Sequence, residues 1–258
     1  MSIKSTFEKH IKLFKAMAAI IAFVMIAGLL WFAFALNGNP VSYALAKNNA
    51  ETYVEENYHG YVVNIVAYNF KFGHYTAEIV KPDSEDCHFT ASFGLDGKCL
   101  GDNYDSSIVK GYNTMARLNM RYRELVNTVL KSPAYPFESK IAYGVLVFED
   151  DEDEYSTHDF SLPKSILQPD SLYDINALAE NGGLITVYVA SKEKSPERAA
   201  EVLLELDRLM KQGGVPFYAI DLILTAEDGD DYFVDNFHRA DIYETGLVDR
   251  VRENHRIS

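Results

Sequence analysis

The chain has 258 residues, a formal charge of −14, 17 Tyr, 15 Phe and two Cys. Its first 36 residues hold four Lys and one Glu, so the remainder is more acidic still, at −17. That charge, with no basic surface interleaved with aromatics, excludes nucleic acid as a partner, and the aromatic content argues for a packed core rather than disorder.

Ala16–Leu36 is an unbroken apolar run without a charge. Its ~21 residues at about 1.5 Å each reach ~31 Å, the hydrocarbon thickness of a bilayer. Lys4, Lys9, Lys12 and Lys15 precede it against Glu8 alone, and the first basic residue after it is Lys47. The bias predicts a cytoplasmic flank (1–15), a single-pass anchor (16–36) and an extracytoplasmic remainder at a cell membrane. Cleavage after Ala35 competes with this expectation. The length of the run and the bulk of Trp31, Phe32 and Phe34 weigh against it.

Beyond the anchor, Asn39 as N-cap and Pro40 at the first helical position predict a helix to about Tyr58, stopped by His59-Gly60. Alternation then predicts strands Tyr61–Tyr68, His74–Val80, Cys87–Phe93 and Lys98–Asp102. A helix on a four-stranded antiparallel meander is, by analogy of architecture, of the cystatin-like or PepSY-like sort. Next, Ile108, Tyr112, Met115, Leu118, Tyr122, Leu125, Val126 and Val129 form one stripe of a long helix over about Asp105 to Leu130. Ser132-Pro133 and Tyr135-Pro136 end it, and a boundary there separates modules 37–131 and 137–258.

The second module opens with Ile141–Phe148, apolar on both faces and expected as an inner strand. An acidic run, Glu149–Glu154, follows, then a short helix near Asp170–Ala179. Strand Leu184–Ala190, a helix opened by Ser195 and Pro196 and closed by Gly213-Gly214, and strand Phe217–Ala226 make a βαβ unit with parallel strands. Asp228-Gly229 turns the chain into strand Tyr232–Phe237, and a helix covers about Asp241–Asn254. The fold class expected is α+β, with an N-terminal transmembrane helix, a helix-plus-meander module and a mixed-sheet α/β module.

The chain holds Asn37-Gly38-Asn39-Pro40, Tyr68-Asn69-Phe70 leading into His74-Tyr75, Cys87-His88-Phe89, and Gly111-Tyr112-Asn113-Thr114 before Tyr122-Arg123-Glu124-Leu125. In this combination it resembles the YfjL-like family of bacterial membrane-anchored proteins. The similarity covers roughly Leu36–Leu130 and, more loosely, the rest. It implies a bacterial cell membrane and an α+β exported part, and it brings no activity, cofactor or functional residue.

Chemistry has few anchors. No nucleophile elbow, HExxH, P-loop or dinucleotide-binding glycine pattern is present, so no catalytic residue, cofactor or metal is expected. Matching the apolar faces of the two central strands sets Ile79 against Phe89 and Tyr75 against Phe93. His74 and His88 then stand about six residues, or ~20 Å, apart and share no metal. A two-residue turn at Asp96-Gly97 would put Phe93 against Leu100 and send Cys87 and Cys99 to opposite faces, too far apart to bridge. His59, His158, His238 and His255 stand alone. The acidic run lacks EF-hand spacing and is read as a solvated loop. Two basic features remain. Lys110, Arg117 and Arg121 fall along one helix face as a stripe for an anionic partner, with pairing to the protein's own carboxylates as the plainer reading. Lys192, Lys194 and Ser195 sit where a parallel strand feeds a helix N-terminus, a seat for an anion or an ordinary cap. The function expected is a non-enzymatic binding or accessory protein at the cell surface, meeting a protein or envelope polymer. An exported hydrolase with a site between the modules is the alternative.

Overall fold

A computed structural model describes residues 3–149, 158–225 and 231–256. Contacts divide the chain into two compact units, Met1–Ser107 and Ile108–Ser258.

The first unit begins with α1 (Ile3–Asn37). Its apolar side chains, among them Ile20, Phe23, Leu29 and Trp31, lie exposed, and the helix is long and apolar enough to cross a membrane. An N-terminal signal sequence fits the same description. After Gly38 comes α2 (Pro40–Asn57), whose cap is the expected one: Asn39 Oδ1 accepts from the Ser42 N–H at 2.8 Å. Strands β1 (Val62–Asn69), β2 (His74–Val80), β3 (His88–Phe93) and β4 (Cys99–Asp102) follow in spatial order, all antiparallel. Ala46, Ala50 and Val54 of α2 pack on Tyr75, Ala77, Ile79, Phe89, Ala91 and Phe93. The two small residues let the helix lie close on the aromatic rows. The central register is the expected one, with Tyr75 opposite Phe93 and Ile79 opposite Phe89. At the sheet edge a bulge pairs Phe93 with Cys99 rather than Leu100. Cys87 is buried, Cys99 exposed, and neither is bonded to the other.

The second unit corrects three expectations. The long helix is interrupted: a π-helical turn covers Asp105–Val109, and α3 runs over Tyr112–Leu130. Gly111 between them has φ +74°, a left-handed conformation that breaks the helical path. Helix α3 packs within this second unit, so the compact units part near residue 107 rather than at 131–137. The remaining elements are β5 (Ala142–Leu146), α4 (Ile175–Gly182), β6 (Gly183–Ala190), α5 (Pro196–Gly213), β7 (Ala219–Thr225), β8 (Tyr232–His238), α6 (Leu247–Asn254) and the two-residue β9 (His255–Arg256). The sheet order is β5-β6-β7-β8-β9, with β6 and β7 parallel as the βαβ pattern requires. Strand β5 lies at the edge, not inside. It is apolar on both faces because Gly144 fits beneath Tyr122 and Val126 of α3, while Val145 and Val147 pack with Phe160 and Leu184. Helices α3, α4, α5 and α6 all pack through one large core on the same face of this sheet. Of the acidic run only Glu149 belongs to the described residues, and Asp228-Gly229 lies outside them.

Candidate functional site

The two basic features are distributed differently from a helix-face reading. Lys110 precedes the Gly111 break and is off α3 altogether. Arg117 is 8% exposed, and its Nη2 donates to the Ser171 carbonyl at 3.1 Å, tying α3 to the loop before α4. Arg121 is half-buried. At the N-terminus of α5, Ser195 Oγ accepts from the Arg198 N–H at 3.1 Å and donates to Glu193 Oε1 at 2.7 Å. The protein's own carboxylate thus sits on the hydroxyl an anion would use, and Lys192 and Lys194 flank an occupied cap. Among the described residues no group of three His, Cys, Asp or Glu could hold a metal.

The most unusual polar group lies elsewhere, in the middle of β7. The strand reads Ala219-Ile-Asp-Leu-Ile-Leu-Thr, and Ile220, Leu222 and Leu224 enter the helix-covered core. Alternation sends Asp221 to the other face, which no helix of the described residues covers. Rungs across that face are set by the register. Val145, Leu184, Ala219 and His238 form one; Tyr143, Thr186 and Asp221 the next; Tyr188, Ile223 and Phe233 a third. Opposite Asp221 the β7–β8 pairing slips, so that Asp235 and Asn236 together face one residue. Asn236 takes φ +50°, and the turn aims its N–H at Asp221 Oδ1, 2.7 Å away.

Two histidines expected to stand alone are drawn into this region. His158 Nδ1 lies 2.5 Å from Asn236 Oδ1, and His238 Nε2 lies 3.1 Å from Asp159 Oδ1. Phe160 and Tyr218 lie between them, with ring centroids 4.7 Å apart and planes tilted by 41°. Burial pushes the Asp221 carboxyl above the usual carboxylate range. The Asn236 N–H and the nearby His158 pull it back in part, and Asp235 adds to the rise. A half-buried carboxyl with a raised pKa, beside an imidazole and the buried Thr186 hydroxyl, accepts hydrogen bonds when ionised, donates one when protonated, and can exchange a proton. The signal for it was in the sequence, as the single acid inside an otherwise apolar strand.

A contrasting carboxylate occupies the first unit. Asp102 accepts from the Tyr53 and Tyr58 hydroxyls and from the Tyr104 N–H. Burial opposes its ionisation, but these donors outweigh it and hold the carboxyl below its ordinary range. Nearby, a depression of about 390 Å³ is lined by Glu51, Glu55, Tyr58, His59 and Tyr61. In the second unit a depression of about 470 Å³ includes Lys211 and Arg239, both of which are held by Asp207 at 2.5 and 3.2 Å.

These features define an α+β protein of two modules with an N-terminal helix fit to cross a membrane. The chain matches the family model YfjL-like, N-terminal domain over residues 13–99 and the YfjL-like C-terminal domain over residues 121–252. It belongs to the YfjL-like family, as its aromatic and turn motifs suggested. No curated protein and no solved structure matches it.

Proposed function

We propose that the chain is a single-pass, N-in anchored protein of the bacterial cell surface. Its second module binds a partner through the helix-free sheet face around Asp221. One observation carries the reading: a carboxyl whose pKa burial raises is retained at the centre of a face bordered by half-buried Tyr143, Tyr188 and Phe233. Aromatic rims around a few convergent polar groups suit recognition. The acidic field of the exported part disfavours polyanions, so the partner is a protein or envelope polymer presenting neutral or basic groups. Photo-crosslinking from Tyr143 or Phe233 in intact cells is expected to trap one discrete product, which Asp221→Ala diminishes. Crosslinks no different from those placed at exposed Glu201 on α5 would overturn it. External protease, expected to digest the second module in wall-stripped cells without lysis, checks the orientation.

Asp221 beside His158 also supports a second reading, an exported hydrolase using the pair for proton transfer. In that case Asp221→Asn abolishes turnover of a model ester or glycoside while leaving its binding intact.

A further inference from the structure

The β1–β2 hairpin ends at Asn69–Gly73, and its tip carries Phe70 and Phe72, 69% and 65% exposed, with Lys71 between them. An exposed Phe-Lys-Phe tip is costly in water unless something apolar meets it. Its place in the first unit says what that is. Tyr68 and Tyr75 pair one rung before the Asn69–His74 rung that closes the hairpin. The Tyr75 hydroxyl donates to the Asn39 carbonyl at 2.9 Å, and both tyrosines pack so tightly on Gly38 that a Cβ there would collide with them. Helix α2 runs away from this level toward Tyr58, close to the start of β1, since Val54, Tyr58, Tyr61 and Val62 line one depression. At Gly38, therefore, helix and hairpin reach the same end of the module together. Beyond it the chain continues as the last turns of α1, and the hairpin continues as Phe70-Lys71-Phe72.

We infer that this hairpin tip is a second membrane contact, inserted into the lipid interface beside the exit of α1. The inference rests on α1 crossing a bilayer. The tip extends about two to three residues, or ~7–10 Å, past the Gly38 level, comparable to the ~5–10 Å depth of the headgroup boundary. Phe70 and Phe72 enter the acyl boundary, and Lys71 keeps its ammonium among the headgroups, its stem along the ring it already overlies at 5.4 Å. Two points of attachment, one covalent and one interfacial, fix the tilt of the first module on the membrane where a lone tether would leave it free to swing.

Trp31 is the only tryptophan, which makes the test direct. The full chain is reconstituted in phosphatidylcholine vesicles with brominated acyl chains. Quenching of Trp31 in the wild type reports that α1 is in lipid; its absence overturns the anchor, and the tip with it. In a Trp31→Phe background, Phe72→Trp is expected to emit at shorter wavelength and to lose about half its emission to bromolipid, as a side chain at the headgroup boundary should. Val62→Trp, seven residues before Asn69 at the far end of β1 and ~23 Å from that rung, is expected to stay water-like and unquenched. Phe70→Trp repeats the measurement if Phe72→Trp loses the near-ultraviolet tyrosine signal of the folded module. A tip tryptophan behaving like the one at Val62, both quenched equally, or a tip shielded from acrylamide yet untouched by bromolipid would each overturn the inference. The last result would mean that protein, not lipid, covers it.

Discussion

Replacing Gly38 with alanine separates two costs that meet at the junction between the apolar helix and the first module. Gly38 has φ +72°, where an L-residue loses roughly 1–2 kcal/mol. Its Cβ would also strike the Tyr75 hydroxyl and the Tyr68 ring, displacing the Tyr75–Asn39 hydrogen bond, worth about 0.5–1.5 kcal/mol net. The sum is ~1.5–3.5 kcal/mol. Gly60 supplies the comparison, because it has φ +84° but nothing within 4 Å of an added Cβ. Gly60→Ala therefore incurs the backbone cost alone. Thermal unfolding of the full chain in detergent, followed by near-ultraviolet circular dichroism of the tyrosine cluster, should place Gly38→Ala below Gly60→Ala. For a module this size, a further ~1 kcal/mol corresponds to roughly 4–8 °C. Equal melting temperatures would refute the packing of the hairpin on Gly38 and remove the geometric basis for a tip at the membrane.

Asp221→Asn should raise the melting temperature of the second module at pH 7, since it removes a carboxylate that burial disfavours while keeping an oxygen for the Asn236 N–H. With the folded pKa raised, wild-type stability falls as pH climbs from the unfolded range near ~3.9 through the folded value, so the advantage of Asn grows over that window; a gain independent of pH would count against the assignment. Asp102 behaves in the opposite sense: its depressed pKa contributes stability above ~pH 4 that is lost on acidification through the folded value. Asp102→Asn should therefore be less stable than wild type at pH 7 and indistinguishable from it in strong acid, as urea titrations at the two pH values would show. Maleimide should label Cys99 at once in the folded chain and Cys87 only under denaturant; two thiols labelled natively would contradict the burial of Cys87.

Where a local rule and the tertiary contacts agreed, the chain was legible from its letters. Asn39-Pro40 and Ser195-Pro196 open helices where they should, and matching apolar faces set Tyr75 against Phe93. Gly111 was harder, because the apolar stripe runs through it in phase on both sides; only its left-handed conformation, with the Leu167 side chain against it, shows that the helix must restart. Likewise β5 is apolar on both faces, the usual pattern of an inner strand. At the edge it is produced instead by α3 pressing on Gly144 from one side and Phe160 reaching across from the other. Such long-range partners leave no local trace. Arg117 illustrates the same gap, since periodicity placed it on a charged stripe, yet the Ser171 carbonyl, far along the chain, claims it.

The two aspartates show why the candidate site belongs in the second module. Asp102 lies at the end of an edge strand, and two hydroxyls and a backbone N–H converge on it so that ionisation is favoured. That is how a fold uses a carboxylate for its own stability. Asp221 is placed where the fold gains least from it: mid-strand, between residues that fill the core, with burial outweighing the one backbone donor aimed at it. A leucine or threonine there would continue the strand at lower cost. The local backbone, moreover, is bent to serve the carboxylate, since the slipped register and the left-handed Asn236 present an N–H that a regular ladder would not. Positions that break the local pattern without repaying stability are where function is to be sought, and here the break and the bulge fall on one rung, with His158 against Asn236 beside it.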